Sequence, residues 1–230
     1  MLSLMKLEIQ KIKFRWFPPS AFIIVLVIVG LSMPLYFSDA INELPEFGTY
    51  EQLFAMIGTF TRVAFVVYGG TLISRLVISE YKNKTISVLF MYPVSRKKLL
   101  SAKLLLVVLW TFSAIVVSTA LITFIFLILD RQLGKIPEAL TQSHLVEHAI
   151  QTVVHAAASA CMCLISLFFG MRKKSVPVTI VSATIIAAIV NSNNGNFTLS
   201  SIVAVPLTLA AIGLGIAWLT ISKVDQTDVV

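Results

Sequence analysis

The chain is 230 residues long, 57% hydrophobic and 13% charged, with a mean hydropathy of +0.92 and a formal net charge of +7. Soluble domains carry about 25% charged residues, and folding in water cannot bury this much apolar surface. A spanning helix needs about 20 apolar residues, so the composition supplies roughly six, which excludes a soluble enzyme, a disordered chain and a collagenous one and predicts an all-α polytopic membrane protein.

In chain order, Met5, Ile9, Ile12 and Trp16 form an apolar stripe, and Lys6, Lys11, Lys13 and Arg15 fall mostly off it. That pattern predicts an amphipathic elbow helix over residues 1–17, lying flat in the headgroup layer. Pro18-Pro19 is expected to break it and turn the chain. The first span is expected over 21–37, kinked near Pro34. A basic start, an apolar run and Ser38-Asp39-Ala40 also fit a cleavable secretion signal. The run is longer than a usual signal core and its preface is amphipathic, so a retained span is favoured.

Further spans are expected over 53–78, 104–129, 149–170, 176–190 and 199–221, which together make residues 1–230 a single transmembrane domain of six spans. No Gly or Pro interrupts the third run. Asn191-Ser192-Asn193-Asn194-Gly195-Asn196 reads as a tight turn between the last two spans. Cys161 and Cys163 lie two residues apart in an apolar run and point about 200° apart on a helix, which makes them packing residues. Fifteen of the 18 lysines and arginines fall on one side of this layout. The outer side keeps Arg131 and Lys135, and Arg62 lies within a span. Excess Lys and Arg mark the cytoplasmic side, which predicts a multi-pass plasma-membrane protein with both termini cytoplasmic. Topology accounts for the positive charge without any nucleic acid.

One cytoplasmic connection is substantial, residues 79–101. Asn83 can cap a helix start, Pro93 forces Tyr92 out of helical geometry, and Ile86, Leu89, Phe90 and Pro93 gather on one face of the short helix between. Pattern alone leaves two readings: a helix resting at the lipid interface, or a knob inserting into a partner's groove. Glu80, Lys84-Thr85, Leu89, Tyr92-Pro93-Val94-Ser95-Arg96 and Leu99 through Lys103 resemble the second-to-third-span loop of class 2 ABC exporter permeases. More narrowly, the chain resembles the small bacterial permeases of the bacitracin-resistance and lantibiotic-immunity type. The resemblance implies that this loop is a coupling helix docking on a separate ATP-hydrolysing subunit through Thr85, Ile86, Leu89, Phe90 and Tyr92. Glu80 and Arg96 would position the flanking helices, and Lys84 and Pro93 would bound the dock. It also implies an exported or expelled membrane-active antimicrobial peptide, although drugs, lipids and ions stay open. Many family members carry extra short helices between the last two spans, where this chain has only the Asn-rich turn.

No G-x-x-x-x-G-K-[ST] phosphate loop occurs. The chain is therefore expected to be no enzyme and to bind no cofactor itself, with ATP and Mg held by two copies of the partner ATPase. Six helices enclose too small a path, so a second permease chain, identical or related, is expected to complete it. A standalone secondary carrier would instead need acidic residues at the midplane; the span centres contain none. His144-Leu145-Val146-Glu147-His148 matches an inverted zinc-protease string, and His144, His148 and His155 share a helical stripe. With no soluble domain around it, the stripe reads as polar interface rather than a metal site. The candidate pathway residues are Arg62, Gln151, His155 and Asn191, the polar groups nearest membrane depth. Counting outward from Ser79 puts Arg62 a turn below the outer surface, with Glu147 as its expected acidic partner. Gly69-Gly70, Ala156-Ala157-Ala158, Gly213 and Gly215 are expected at close helix contacts, and Pro206 is expected to bend the last span.

Overall fold

In lipid, only a helix satisfies every backbone N–H and C=O within one segment, so the long apolar runs must be helical. A computed structural model describes residues 17–37, 49–82, 96–134, 136, 140–191, 193–194, 197–198 and 204–223. Its helices are α1 (Phe17–Phe37), α2 (Tyr50–Ile73) continuing through a π-helical stretch (Ser74–Ile78) into α3 (Ser79–Lys82), α4 (Arg96–Leu133), α5 (Gln142–Met162), α6 (Ile165–Lys173), α7 (Val176–Val190) and α8 (Ala204–Lys223). A two-residue antiparallel ladder, β1 (Asn193–Asn194) with β2 (Phe197–Thr198), pairs Asn193 with Thr198 where a turn was expected. Among the described residues five helical stretches are long and apolar enough to cross a membrane, and α7 is a sixth, shorter apolar helix of 15 residues. Hydroxyl side chains inside them are closed locally: Ser32 donates to the Ile28 carbonyl at 2.7 Å and Thr61 to the Ile57 carbonyl at 2.8 Å.

Several boundaries differ from expectation. Pro18 and Pro19 fall within the first described turn of α1, which begins four residues ahead of the expected start of the span at residue 21. Residues 1–16, and with them most of the elbow, lie outside the described residues. Pro206 sits in the first described turn of α8, and residues 199–203 before it lie outside the described residues. The α4 helix extends eight residues before and four beyond the expected span, because its charged ends project out of the apolar slab. The expected fourth span divides at Cys163-Leu164, where Leu164 N–H reaches back only three residues to the Cys161 carbonyl at 3.1 Å. Lys174, at φ 45°, ends α6 in the left-handed conformation and allows a two-residue connection to α7.

Contacts at its two ends place α1 in depth. The Phe17 carbonyl accepts from the Tyr68 hydroxyl at 3.3 Å, and the Phe17 ring lies 5.9 Å from Trp110. At the other end Tyr36 meets Phe126 at 5.5 Å. The 21 residues of α1 rise about 30 Å at 1.5 Å per residue, the thickness of a bilayer's hydrocarbon core. Both helices of the α2–α4 pair continue fourteen residues past that level, Tyr68 to Lys82 and Trp110 to Arg96, or about 21 Å of helix. This end carries exposed Arg75, Lys82, Lys97, Lys98, Arg172, Lys173 and Lys174 and is termed the basic end.

At the opposite end Asp130, expected in an outer loop, is instead the last buried residue of α4. Tyr36 donates to its Oδ1 at 2.9 Å, Tyr50 to its Oδ2 at 2.7 Å and the Ile136 N–H to Oδ1 at 3.2 Å. One carboxylate thereby ties α1, α2 and α4 together. Asp130→Leu removes the acceptor from all three donors and is expected to destabilise by about 3 kcal/mol, at 1–3 kcal/mol per stranded group. Asp130→Asn keeps shape and one acceptor and is expected to stay near 1 kcal/mol; thermal unfolding in detergent micelles compares the two.

Candidate functional site

A buried ion pair fastens α3 to the basic-end part of α4. Lys103, seven residues below Trp110 on α4, has its side chain 3% exposed, and its ammonium pairs with the Glu80 carboxylate of α3, 17% exposed. The same ammonium donates to the Leu76 carbonyl at 3.2 Å, inside the π-helical stretch. Wide π turns interrupt the regular ladder and recur at functional sites; here the turn receives a lysine from the neighbouring helix. A buried pair of this kind adds little net stability over an apolar contact, but it strongly penalises any arrangement that separates the two charges. Its physical effect is to make Leu76–Lys82 and the start of α4 move as one body.

A second polar constellation lies inside the slab. Arg62 on α2 is six residues from Tyr68 and twelve from Tyr50, about 9 and 18 Å along the helix, between the levels at which the two ends of α1 are held. Its Nη2 donates to Thr59 Oγ1 at 3.1 Å, its guanidinium lies against Gly58, and its Nε is buried without a hydrogen-bond partner. Arg62 acts electrostatically on His148 and His155, both on α5. The His148 ring stacks on Phe54 at 4.3 Å and its Nε2 lies 3.2 Å from Thr123 Oγ1. His155 Nδ1 is buried without a hydrogen-bond partner. The expected Arg62–Glu147 pair does not form: Glu147 is exposed and accepts from Gln151 Nε2 at 3.3 Å.

Of the candidate pathway residues, Arg62 and His155 fall at one level: α2 and α5 run side by side with Phe54 against His148 and Gly69 against Cys163, a register that sets Arg62 beside His155 and Ala156. Gln151 is on the exposed face of α5, and Asn191 ends α7, donating through Nδ2 to the Ala187 carbonyl at 2.9 Å. Of the expected docking residues, Lys84, Thr85, Ile86, Leu89, Phe90, Tyr92 and Pro93 lie outside the described residues. Arg96 opens α4, and Glu80 lies in the flanking helix. Sequence reasoning passed over Lys103, His148 and Asp130 as site residues. For Lys103 a signal was present: a lone lysine leading a 26-residue run free of charge, two dozen residues after a lone glutamate.

Comparison with known proteins agrees with this architecture. A family model described as "ABC-2 family transporter protein" matches residues 4–191. The chain is also 40% identical over 227 residues to the uncharacterized protein YcbO of Bacillus subtilis strain 168, covering 99% of this chain and 100% of that one. No solved structure matches it significantly.

Proposed function

This chain belongs to the ABC-2 family of transporter proteins, as a membrane component of an ABC transporter, and from that premise we propose that it is the permease of an exporter driven by a separate ATP-hydrolysing subunit. The observation that carries the reading is the pair of α2–α3 and α4, which continues about 21 Å past the α1 level alongside α6 and α7 and is fastened near its far end by Glu80 and Lys103. A helix pair fastened there can pass a displacement at its end into α2 and α4. Excess Lys and Arg at this end favours a cytoplasmic position for it, where an ATPase is found, and so favours cytoplasmic termini.

In this reading two permease chains and two ATPase subunits form the complex. Closure of the ATPase dimer moves the 84–92 segment as a lever, and α2 and α4 carry the shift across the slab. The permease supplies binding and motion, and the bond-breaking step occurs on ATP and Mg held by the partner. Its cargo is a membrane-active amphiphile, with an antimicrobial peptide as the case supported by the resemblance to bacitracin-resistance and lantibiotic-immunity permeases.

Purification in mild detergent tests the reading. An ATP-binding companion is expected in near-equal amount, and Leu89→Asp or Phe90→Asp is expected to reduce its recovery tenfold or more, roughly the loss of one interface anchor. Cargo movement by the isolated chain without nucleotide would overturn it.

A further inference from the structure

We propose that Arg62 and His155, with His148 two turns further along, form a site for a phosphate-bearing anionic headgroup held within the bundle. This goes beyond the permease reading, which names neither an anion nor a place for one.

An arginine inside a bilayer is costly and ordinarily meets an acidic partner or an aqueous cavity. Arg62 has no acidic partner among the described residues; its one hydrogen bond goes to a neutral hydroxyl one turn away. The register of α2 on α5 sets His155 beside it and His148 two turns further along, and the two histidines add donors rather than a countercharge. Two buried donors or acceptors, Arg62 Nε and His155 Nδ1, are left over from the protein's own hydrogen bonding. Buried polar atoms without partners point to a group that the chain itself does not supply. A guanidinium and imidazoles offering several N–H groups suit the several oxygens of a phosphate, which one neutral acceptor cannot match.

The surrounding helices leave a way in. On α7, Ala183 touches Gly70, so the helix end at Val190 rises no more than about 10 Å past Gly70, which is the depth of Val63 and Arg62. On α8, Gly213 touches Cys161, and the described part of the helix reaches Ala204, nine residues on, about 14 Å past Cys161. The α5 helix continues nineteen residues from Cys161 to Gln142. Toward the opposite end it packs on α2 and α4, through His148, Phe54 and Thr123, and none of residues 142–155 is buried. Arg62 and His155 thus lie near the level at which α7 ends, beside the stretch of α5 over residues 142–155 that no described helix buries. The exposed apolar residues Ile150, Val153 and Val154 of α5 line the approach to this level from the opposite end.

The test uses the full-length protein, with whatever companion copurifies, in bilayer nanodiscs of phosphatidylcholine. Photoactivatable phosphatidylglycerol, or phosphatidylcholine carrying the same group, is added at trace level, and crosslinks are mapped to peptides. Phosphatidylglycerol is expected to label the α2 and α5 peptides around Thr59 and His155 at least fivefold more than phosphatidylcholine. Arg62→Gln is expected to lower that labelling about tenfold, the loss of a charge-assisted hydrogen bond, whereas Arg62→Lys keeps most of it. Labelling of the basic end near Lys97 and Lys98 serves as the internal standard and is unchanged in each variant. His155→Gln gives a second reading in case Arg62→Gln fails to fold. Displacement of the label by millimolar inorganic phosphate supports the site and identifies its occupant as a soluble phosphoryl compound; resistance to phosphate supports it and identifies a lipid. Equal labelling by the two lipids, or labelling untouched by both Arg62→Gln and His155→Gln, overturns the proposal. Recovery of the ATP-binding companion is scored on the same preparations, so failure of this site and failure of the permease reading are separate results.

Discussion

Glu80→Gln is expected to destabilise the protein more than Lys103→Met, although both break the same ion pair. The reason is unequal burial. With Lys103 gone, the Glu80 carboxylate, 17% exposed, can turn to water and recover much of its hydration. With the Glu80 charge gone, the Lys103 ammonium, 3% exposed, stays in the protein without its countercharge. Removing one partner of a buried pair costs about 3–5 kcal/mol when the other charge is trapped, so Glu80→Gln should lie near 3 kcal/mol and Lys103→Met near 1–2 kcal/mol. The double variant is expected to be more stable than Glu80→Gln alone, because the stranded ammonium is then absent. Thermal unfolding of the four proteins in one detergent measures the ordering, and Lys103→Met proving the worse variant would contradict the burial argument.

The same variants separate docking from transmission. Spin labels at exposed Lys82 and Lys97 are expected to give one narrow distance distribution in the wild type and a broad one in Glu80→Gln. Recovery of the ATPase companion is expected to persist, because the docking residues are untouched. Its ATP hydrolysis then proceeds with less cargo moved per turnover. A narrow distribution in Glu80→Gln would place the rigidity of the hairpin elsewhere.

The number of spans, the short helix over 176–190 and the side on which charge gathers were legible in the sequence, because each is a property of one apolar run or of a simple count. The 176–190 helix begins after Ser175 with Pro177 in its first turn and ends at Asn191, so its limits are local chemistry. The helix ends of α4 were not legible in that way. Hydropathy marks where a helix leaves lipid, and α4 continues through Arg96–Lys103 and Asp130–Leu133, where its charged residues are met by Glu80, Tyr36 and Tyr50 from other helices. Depth depends in the same way on a non-local reference: counting from Ser79 takes the inner boundary there, whereas the first described turn of α1 lies against Tyr68. Measured from that turn, Arg62 lies further inward by about ten residues of helix, roughly 15 Å, and the pairing with Glu147 is not made. Tertiary partners of lone charges are non-local facts, and no spacing rule on one helix contains them.

The helix seams provide the sharpest contrast between two positions that look alike in sequence. Gly213 and Gly215 both lie on α8 and were both expected at close contacts. A Cβ on Gly213 would stand 2.3 Å from the Cys161 carbonyl oxygen, whereas one on Gly215 meets nothing within 4 Å. That carbonyl cannot easily yield. It belongs to the backbone of α5 where the helix divides, and it already accepts from Leu164 N–H at 3.1 Å. Gly213→Val must therefore push α8 off α5, losing the small-residue contact that lets the two backbones approach; forced overpacking of this kind costs about 3 kcal/mol or more. Gly215→Val points about 200° around the helix, toward the exposed face with Leu214 and Trp218, and should change stability by less than about 0.5 kcal/mol. Gly70→Val, whose Cβ would lie 2.4 Å from that of Ala183, tests the α2–α7 seam in the same way and should resemble Gly213→Val. Unfolding temperatures of the three variants decide the matter: if Gly215→Val is the damaging one, α8 is turned half-way round relative to the bundle.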